Sequence, residues 1–164
     1  MKHEEFVDRL KKNGFNFYTG VPCTILGSVI SYLSSGKSND LNYYSATRED
    51  EAIGMAVGAY MAGKKPAIFM QNSGLGQSIN ALVSLALLYK TPFLMIISWR
   101  GYQGKDEPEH LYMGQYLTEF LRVMKIPTVI AEEETLAEQI TNVSKVMDEQ
   151  KTPVALILRS NLVL

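Results

Sequence analysis

A run of acidic residues in the segment ATREDEAIGMAVGAYMAG, residues 46–63, is the first feature that could take part in catalysis. Glu49, Asp50 and Glu51 follow Arg48 directly, and the residues after them are small or apolar, which is typical of a buried helix. Acidic residues in a first helical turn complement the helix dipole, and three in succession favour this capping role. A carboxylate at the edge of a core can also serve as the proton partner of a bound ligand. The residues alone leave both interpretations of Glu49 open.

The same predicted helix carries a row of small residues. Gly54, Gly58 and Ala62 recur at intervals that place them on one side of the helix. Residues without bulky side chains allow another backbone to approach closely. We therefore expect this side to pack against another element. A second chain is one candidate, and it would place Glu49 at an interface.

The segment NSGLGQS, residues 72–78, is predicted to be a glycine-rich turn between a strand and a helix. Such turns can bind a phosphate at the helix N-terminus. It is not a P-loop, because no Gly-Lys-Ser/Thr follows, and it is not a dinucleotide fingerprint, because Ile79 occupies the place of the third glycine. A tight connection without a ligand is the alternative.

A long polar loop, RGYQGKDEPEH, spans residues 100–110. Loops of this length within compact domains are often functional. Arg100, Lys105 and His110 are three candidate ligands in it for an anionic substrate. The alternative for His110 is a solvated loop histidine.

Cys23 is the only cysteine, so an internal disulfide is excluded and a reducing cytoplasm is the expected location. It follows Pro22 at a predicted turn and is a candidate nucleophile, although most free cysteines are merely small hydrophobes. With one histidine away from the N-terminus, a closed metal coordination shell is not predicted.

The overall composition narrows the class of protein. Hydrophobic residues make up 46% of the 164 residues and charged residues 20%, as in ordinary globular proteins, and one domain over residues 1–164 is expected. The net charge of −1 gives no indication of a nucleic-acid or anionic-membrane partner. The longest apolar stretches are too short to span a bilayer, and no apolar run of signal-peptide type is present at the N-terminus.

Strand-like and helical segments alternate along the chain. Several strands are nearly continuous apolar runs, which is typical of a parallel sheet that is covered on both faces. The prediction is therefore an α/β fold with three layers, a six-stranded mostly parallel sheet between two layers of helices. The predicted strands cover residues 15–22, 41–47, 67–71, 92–99, 127–131 and 153–159, and the helices 3–13, 24–33, 48–62, 77–89, 111–124 and 132–150.

Ligands of such sheets bind outside the carboxyl ends of the strands. Four predicted loops meet this condition, namely TGVPCT, TREDE, QNSGLGQS and SWRGYQGKDEPEH. A site is expected where they converge.

These loops carry a resemblance to a known family. The segments GVPCTILGSVISYL, ATREDEAIGMAVGAYMAGKKP, MQNSGLGQSINAL and DEPEHLYMGQ resemble the pyrimidine-binding domain of thiamine-diphosphate-dependent decarboxylases. More narrowly, they are similar to phosphonopyruvate decarboxylases and to sulfopyruvate decarboxylase α subunits. The resemblance covers nearly the whole chain. It implies that Glu49 activates thiamine diphosphate by hydrogen bonding to its pyrimidine ring. The resemblance thus favours the ligand-binding interpretation of Glu49 over helix capping.

The resemblance also implies roles for other residues. Asn72, Ser73 and Gly74 match the turn beside the cofactor, Thr24 and Cys23 match the loop that faces the substrate, and His110 matches a histidine that relays protons or contacts the departing carboxylate. Arg100 and Lys105 are assigned to the second anion of the substrate from their charge alone.

One departure from the family pattern concerns the metal. The Gly-Asp-Gly motif that holds Mg²⁺ in the family is absent from this sequence. The resemblance therefore implies that a separate β subunit carries the diphosphate and Mg²⁺ site, in a hetero-oligomer whose α subunits also self-associate.

The expected reaction is decarboxylation of 3-sulfopyruvate to sulfoacetaldehyde on the way to coenzyme M. Decarboxylation of 3-phosphonopyruvate is the alternative within the same chemistry. A non-catalytic small-molecule-binding module of the same fold is the alternative of another class.

Overall fold

Six helices and six strands alternate in the computed structural model, which describes residues 1–37, 43–159 and 162–163. The strands are β1 (Phe17–Gly20), β2 (Tyr43–Ser45), β3 (Pro66–Gln71), β4 (Leu94–Ser98), β5 (Thr128–Ile130) and β6 (Val154–Leu158). The helices are α1 (His3–Lys12), α2 (Gly27–Ser34), α3 (Glu49–Met61), α4 (Asn72–Ala81), α5 (Pro108–Val123) and α6 (Leu136–Gln150). A π-helical segment, Leu82–Leu87, extends α4, and a short 3₁₀ turn, Tyr102–Gly104, lies before α5.

The strands form one sheet in the order β2-β1-β3-β4-β6-β5, and every neighbouring pair is parallel. The predicted α/β class is confirmed, and the sheet is parallel throughout. A helix lies between each strand and the next along the chain, which is the connection that parallel strands require. Because all strands run in one direction, their carboxyl ends meet at one edge.

Alternate side chains of the strands enter two separate cores. Phe69 of β3 packs into the core formed with α1, α2 and α6, whereas Ile68 and Met70 pack into the core formed with α3, α4 and α5. Complete burial of one such side chain contributes about 1.5–3 kcal/mol relative to exposure. The two cores account for the nearly continuous apolar strands, and they confirm the three-layer arrangement.

Helix α3 divides its small residues between two environments. Ala52 and Ala56, together with Ile53 and Val57, face the second core. Gly54, Gly58 and Ala62 are exposed, and no atom lies within 4 Å of where a Cβ would stand at either glycine. The close packing expected along this side is therefore not made within the described part of the chain.

The predicted glycine-rich turn at residues 72–78 was wrong. Helix α4 begins at Asn72, directly after the last residue of β3, and Gln71 supplies the extended backbone that starts it. The glycines do not interrupt the helix because Gly74 and Gly76 lie where side chains of other elements approach closely. Glycine is tolerated inside a helix where such an approach needs the space.

Other helix starts differ from the prediction by a few residues. Residues 24–26 form a turn, so α2 begins at Gly27. Helix α5 begins at Pro108, whose fixed φ suits a first helical position, and the predicted loop is shorter for this reason. Helix α6 begins at Leu136. Residues 38–40 of a predicted loop and 41–42 of a predicted strand lie outside the described residues.

Candidate functional site

The predicted convergence of loops occurs at the carboxyl edge of the sheet. Three contacts join loops that follow different strands: the Glu49 side chain lies against Gly74, Cys23 Sγ is 3.3 Å from Ser98 Oγ, and Asn72 Nδ2 donates to the Arg100 carbonyl at 2.7 Å. The residues that follow β1, β2, β3 and β4 are thus connected. This edge is where ligands bind in parallel sheets.

Glu49 is the buried member of the acidic run. It is the first residue of α3, and only 8% of its surface is exposed. A Cβ added to Gly74 would stand 2.3 Å from Cγ, Cδ and Oε1 of Glu49, so the carboxylate lies directly over the glycine. No hydrogen bond to its carboxylate is made by the residues that the structure describes. A buried carboxylate without a donor is ready for a partner from outside the chain.

Asp50 and Glu51 perform the capping role instead. Asp50 accepts hydrogen bonds from Arg48 Nε at 3.1 Å and Nη2 at 2.9 Å, and Arg48 lowers the pKa of the Asp50 carboxyl. Glu51 accepts from the hydroxyl and the backbone N–H of Thr47, and these donors lower the pKa of Glu51. The start of α3 is therefore stabilised without Glu49.

Asn72 and Ser73 have partners within the chain. Asn72 is fully buried, its Nδ2 donates to the Arg100 carbonyl, and its Oδ1 accepts from the Arg100 N–H at 3.3 Å. The Ser73 hydroxyl accepts from Gln71 Nε2. Asn72 consequently braces the loop after β4, and the structure leaves Ser73 half-buried in the first turn of α4.

Cys23 and Thr24 lie in the loop after β1. The Cys23 thiol is half-buried and pairs with the fully buried Ser98 hydroxyl at the end of β4. Thr24 is exposed. Sequence analysis did not select Ser98, because a serine at a strand end carries no distinctive pattern.

Tyr43 on β2 is a second residue that the sequence did not point to. Its hydroxyl is buried and has no hydrogen-bond partner among the residues that the structure describes. Burial raises the pKa of the Tyr43 phenol, and the nearby acidic groups of Cys23 and Glu49, when ionised, raise it further. Its ring is 6.2 Å from that of Phe69, and it packs against the first core together with Cys23. Tyr43 thus lies beside two predicted site residues.

Arg100 forms an ion pair within its own loop. Its Nε and Nη2 donate to the two Asp106 oxygens at 2.7 and 2.6 Å, and both side chains are mostly buried. Arg100 holds the pKa of Asp106 far below its usual range, and Asp106 raises the pKa of Arg100. Charge alone could not reveal this partner, which lies in the same DEPEH segment as His110.

Lys105 and His110 make no hydrogen bond or ion pair to the other predicted site residues within the described ranges. Lys105 is exposed, and His110 is half-buried in the first turn of α5. The backbone of His110 packs closely on Gly101, where a Cβ would stand 2.2 Å from the His110 oxygen. The position of His110 therefore depends on the loop after β4.

The residues fit a heterocyclic cofactor better than a metal ion. The Glu49 side chain fills the space over Gly74, and its mostly buried carboxylate has no hydrogen-bond donor among the described residues, which suits a ring nitrogen that shares a proton with it. Over the part of the chain that the structure describes, no group of three or more His, Cys, Asp or Glu residues is arranged to hold a metal. In the same part, no helix has the length and apolar character needed to cross a membrane.

Comparison with known proteins identifies the family. Residues 3–122 match the model for the N-terminal TPP binding domain of thiamine pyrophosphate enzymes. The chain is 40% identical over 147 residues to the sulfopyruvate decarboxylase subunit alpha of Methanococcus maripaludis, covering 89% of this chain and 87% of that one. It is 44% identical over 119 residues to the subunit of the same name from Methanocaldococcus jannaschii, covering 73% and 69%.

Two other similarities are more limited. A phosphonopyruvate decarboxylase of Streptomyces viridochromogenes is 38% identical over 109 residues, which is 66% of this chain and 27% of that protein. Among solved structures, 2-oxoglutarate:ferredoxin oxidoreductase from Magnetococcus marinus superposes with a TM-score of 0.71 at 17% identity, over 99% of this chain and 29% of that one. The second similarity concerns the fold alone.

Proposed function

Since the chain belongs to the thiamine pyrophosphate enzyme family through its N-terminal TPP binding domain, we propose that it is the α subunit of a thiamine-diphosphate-dependent 2-oxo acid decarboxylase. The proposed reaction converts 3-sulfopyruvate to sulfoacetaldehyde and CO₂. The relatives named as sulfopyruvate decarboxylase subunit alpha support this choice of substrate, because they match over most of their own length.

One observation carries the proposal on the structural side. Glu49 is a buried carboxylate at the carboxyl edge of the sheet, and the capping that would otherwise explain it is done by Asp50 and Glu51. A mostly buried carboxylate that has no donor among the described residues is open to a partner from outside the chain. A ring nitrogen of the bound cofactor would be such a partner.

Glu49, Gly74, Asn72 and Ser73 are the residues that would hold the pyrimidine ring. Glu49 would share a proton with a ring nitrogen, and Gly74 makes room for the Glu49 side chain to reach that position. Asn72 keeps the loop after β4 in place, and Ser73 lies beside it in the same turn. When bound, thiamine diphosphate supplies the carbanion that attacks the keto carbon and accepts the electrons released with CO₂.

The substrate is assigned to the loops after β1 and β4. Thr24 and Cys23 contact its carboxylate end, and His110 donates or accepts a proton near the leaving carboxylate. Lys105 is exposed, and its ammonium, which has no partner among the described residues, is assigned to the sulfonate. Arg100 was assigned to the same anion from its charge, but two of its donor nitrogens are occupied by Asp106.

The names of the relatives, which are alpha subunits, support the proposal of a partner subunit. We assign to this β subunit the diphosphate and Mg²⁺ site, for which the chain has no Gly-Asp-Gly motif. The α subunit is proposed to be one domain over residues 1–164 that also self-associates. A cytoplasmic location follows from the single cysteine as part of the same proposal.

Replacement of Glu49 by glutamine in the reconstituted α–β complex tests the proposal. We expect Glu49→Gln to lose most of its turnover of sulfopyruvate, because an amide cannot share the proton, while the complex still assembles. Glu51→Gln is the matched control, since Glu51 is exposed in the same turn and points to Thr47. Full activity of Glu49→Gln would remove this residue from the mechanism.

Decarboxylation of 3-phosphonopyruvate is a second candidate, favoured by the Streptomyces relatives at 38% identity. Both substrates carry a second anion one carbon beyond the keto group. CO₂ release from sulfopyruvate, phosphonopyruvate and pyruvate, each with thiamine diphosphate and Mg²⁺, separates the two. Release from none of them, with cofactor binding intact, would favour the non-catalytic binding module instead.

A further inference from the structure

The predicted anion ligand Arg100 has a different arrangement in the structure from the one its charge suggested. We propose that Arg100 and Asp106 form a lock that fixes the segment between β4 and α5 and thereby positions His110. Both are positioning residues in this proposal. The catalytic consequence rests on the function proposed above, whereas the lock itself is a property of this chain alone.

Asp106 is saturated with hydrogen bonds. Its two oxygens accept from Arg100 Nε and Nη2, from the Gly101 N–H at 2.8 Å and from the Glu107 N–H at 2.9 Å. The paired side chains are only 20% and 14% exposed. Charge-assisted, bidentate pairs of this kind fix geometry as well as charge. Arg100 therefore directs two of its five N–H donors, and its charge, to its own loop.

The same segment is held from a second side. Asn72 bonds to both the N–H and the carbonyl of Arg100, and Trp99 Nε1 donates to the Gly114 carbonyl at 2.7 Å. The Trp99 ring also meets the Tyr102 ring edge-on, with centroids 4.7 Å apart. The start of the segment after β4 is thus attached both to α4 and to α5.

The backbone of this segment packs closely against the backbone of α5. A Cβ at Gly101 would stand 2.2 Å from the His110 oxygen, and one at Gly114 would stand 2.5 Å from the Arg100 oxygen. Backbone touches backbone at both glycines. Any displacement of residues 100–101 must therefore move the first turn of α5, which carries His110.

If the lock exists, substitution of Arg100 and substitution of Asp106 should have similar effects on the order of this segment. Arg100→Gln and Asp106→Asn each leave one charge without its partner, so each loosens the segment, and the double variant is expected to be no worse than either single one. Glu107→Gln is the matched control. Glu107 is an exposed acid next to Asp106, and the Glu107 side chain makes no described hydrogen bond. An anion-binding role for Arg100 predicts instead that Asp106→Asn frees the guanidinium and improves substrate binding.

Trp99 reports on the lock without any catalytic assay, since it is the only tryptophan of the chain. We expect acrylamide to quench the Trp99 fluorescence more strongly in both single variants of the full chain. Quenching in Glu107→Gln should equal that of the unsubstituted chain. Unchanged quenching in Asp106→Asn would overturn the proposal. Slow amide exchange of Gly101 and Glu107 in the unsubstituted chain is also expected, and fast exchange of both would overturn it even where a variant failed to fold.

Kinetics of the reconstituted complex provide the second test. Misplacement of His110 is expected to lower kcat by about 10–100-fold in both single variants, with little change in the KM of sulfopyruvate. An increase in KM confined to Arg100→Gln would overturn the positioning role. If the unsubstituted complex proved inactive, the proposed function would fail, whereas the quenching and exchange measurements would still test the lock.

Discussion

The carboxylate of Glu49 lies directly over the α-carbon of Gly74, and the glycine makes this position available. An added Cβ at Gly74 would stand 2.3 Å from three atoms of the Glu49 side chain. Carbon atoms do not approach one another so closely, so the two side chains exclude each other. The glycine within α4 and the buried acid at the start of α3 therefore form one structural unit.

Substitution of Gly74 should displace Glu49 without removing it. We expect Gly74→Ala to lower kcat of the reconstituted complex by about 100-fold, because a shift of about 1 Å in a reacting group has effects of this size. Gly76→Ala is the control on the same helix, where the new Cβ would meet only the flexible end of Met113 at 2.9 Å. Steady-state kinetics of both variants, with circular dichroism to confirm folding, make the comparison. Wild-type kcat in Gly74→Ala would show that the Glu49 position is not critical.

The ion pair of Asp106 predicts a specific dependence of stability on pH. Arg100 lowers the pKa of Asp106 relative to the unfolded chain, so the ionised pair stabilises the fold above about pH 4, the unfolded value. This contribution is lost as the pH falls through the native pKa. The free energy of unfolding of Asp106→Asn should therefore be lower than that of the unsubstituted chain at pH 7.

Urea unfolding at several pH values measures this difference. We expect the gap between the two proteins to be constant from pH 7 to about pH 5 and to shrink below about pH 4. A gap that grows on acidification would contradict the ion pair. Glu107→Gln should follow the unsubstituted chain throughout.

The open face of α3 predicts a stabilising substitution. No atom lies within 4 Å of a Cβ at Gly58, and alanine favours a helix over glycine by about 0.5–1 kcal/mol. Gly58→Ala should therefore increase the free energy of unfolding of the isolated chain by this amount. Gly63→Ala is the control, because Gly63 has equal space but a φ of +79°, and it should be destabilising.

The same substitution also tests the expected interface. If Gly58 contacts a second chain closely, Gly58→Ala should weaken assembly while it stabilises the free subunit. Sedimentation of the α subunit with and without its partner measures both associations. Unaltered association in both experiments would exclude this face from the interfaces.

Removal of the hydroxyl from each of two tyrosines at paired positions of β1 and β2 should have different effects on the free energy of unfolding. The Tyr18 hydroxyl donates to the Phe15 carbonyl at 2.8 Å, whereas the buried Tyr43 hydroxyl has no partner in the described part of the chain. We expect Tyr18→Phe to destabilise the chain by about 0.5–1.5 kcal/mol, and Tyr43→Phe to be neutral or to stabilise it by up to about 1 kcal/mol. Chemical unfolding of the two variants compares them directly. A loss of equal size at Tyr43 would mean that its hydroxyl is satisfied in solution.

The sequence by itself determined the layers of the fold. Apolar runs such as those around Phe69 and Ile96 require burial on both faces of a strand, and only a parallel sheet between helices provides this for so many strands. The alternation of elements then placed the loops with Glu49, Cys23 and Arg100 at one edge, since parallel strands end together. The family resemblance selected Glu49 from that set, where periodicity could not.

Only the tertiary structure decided what each charged residue does. Three adjacent acids have almost the same sequence signal, yet Asp50 and Glu51 bond to neighbours while Glu49 turns into the core over Gly74. Arg100 has the same charge whether it meets a substrate or Asp106, and its pairing depends on how the chain turns after β4. Local patterns report burial and periodicity, because these are averaged over many residues. The partner of a single polar atom depends on contacts between segments far apart in the chain, and these exist only once the sheet has formed.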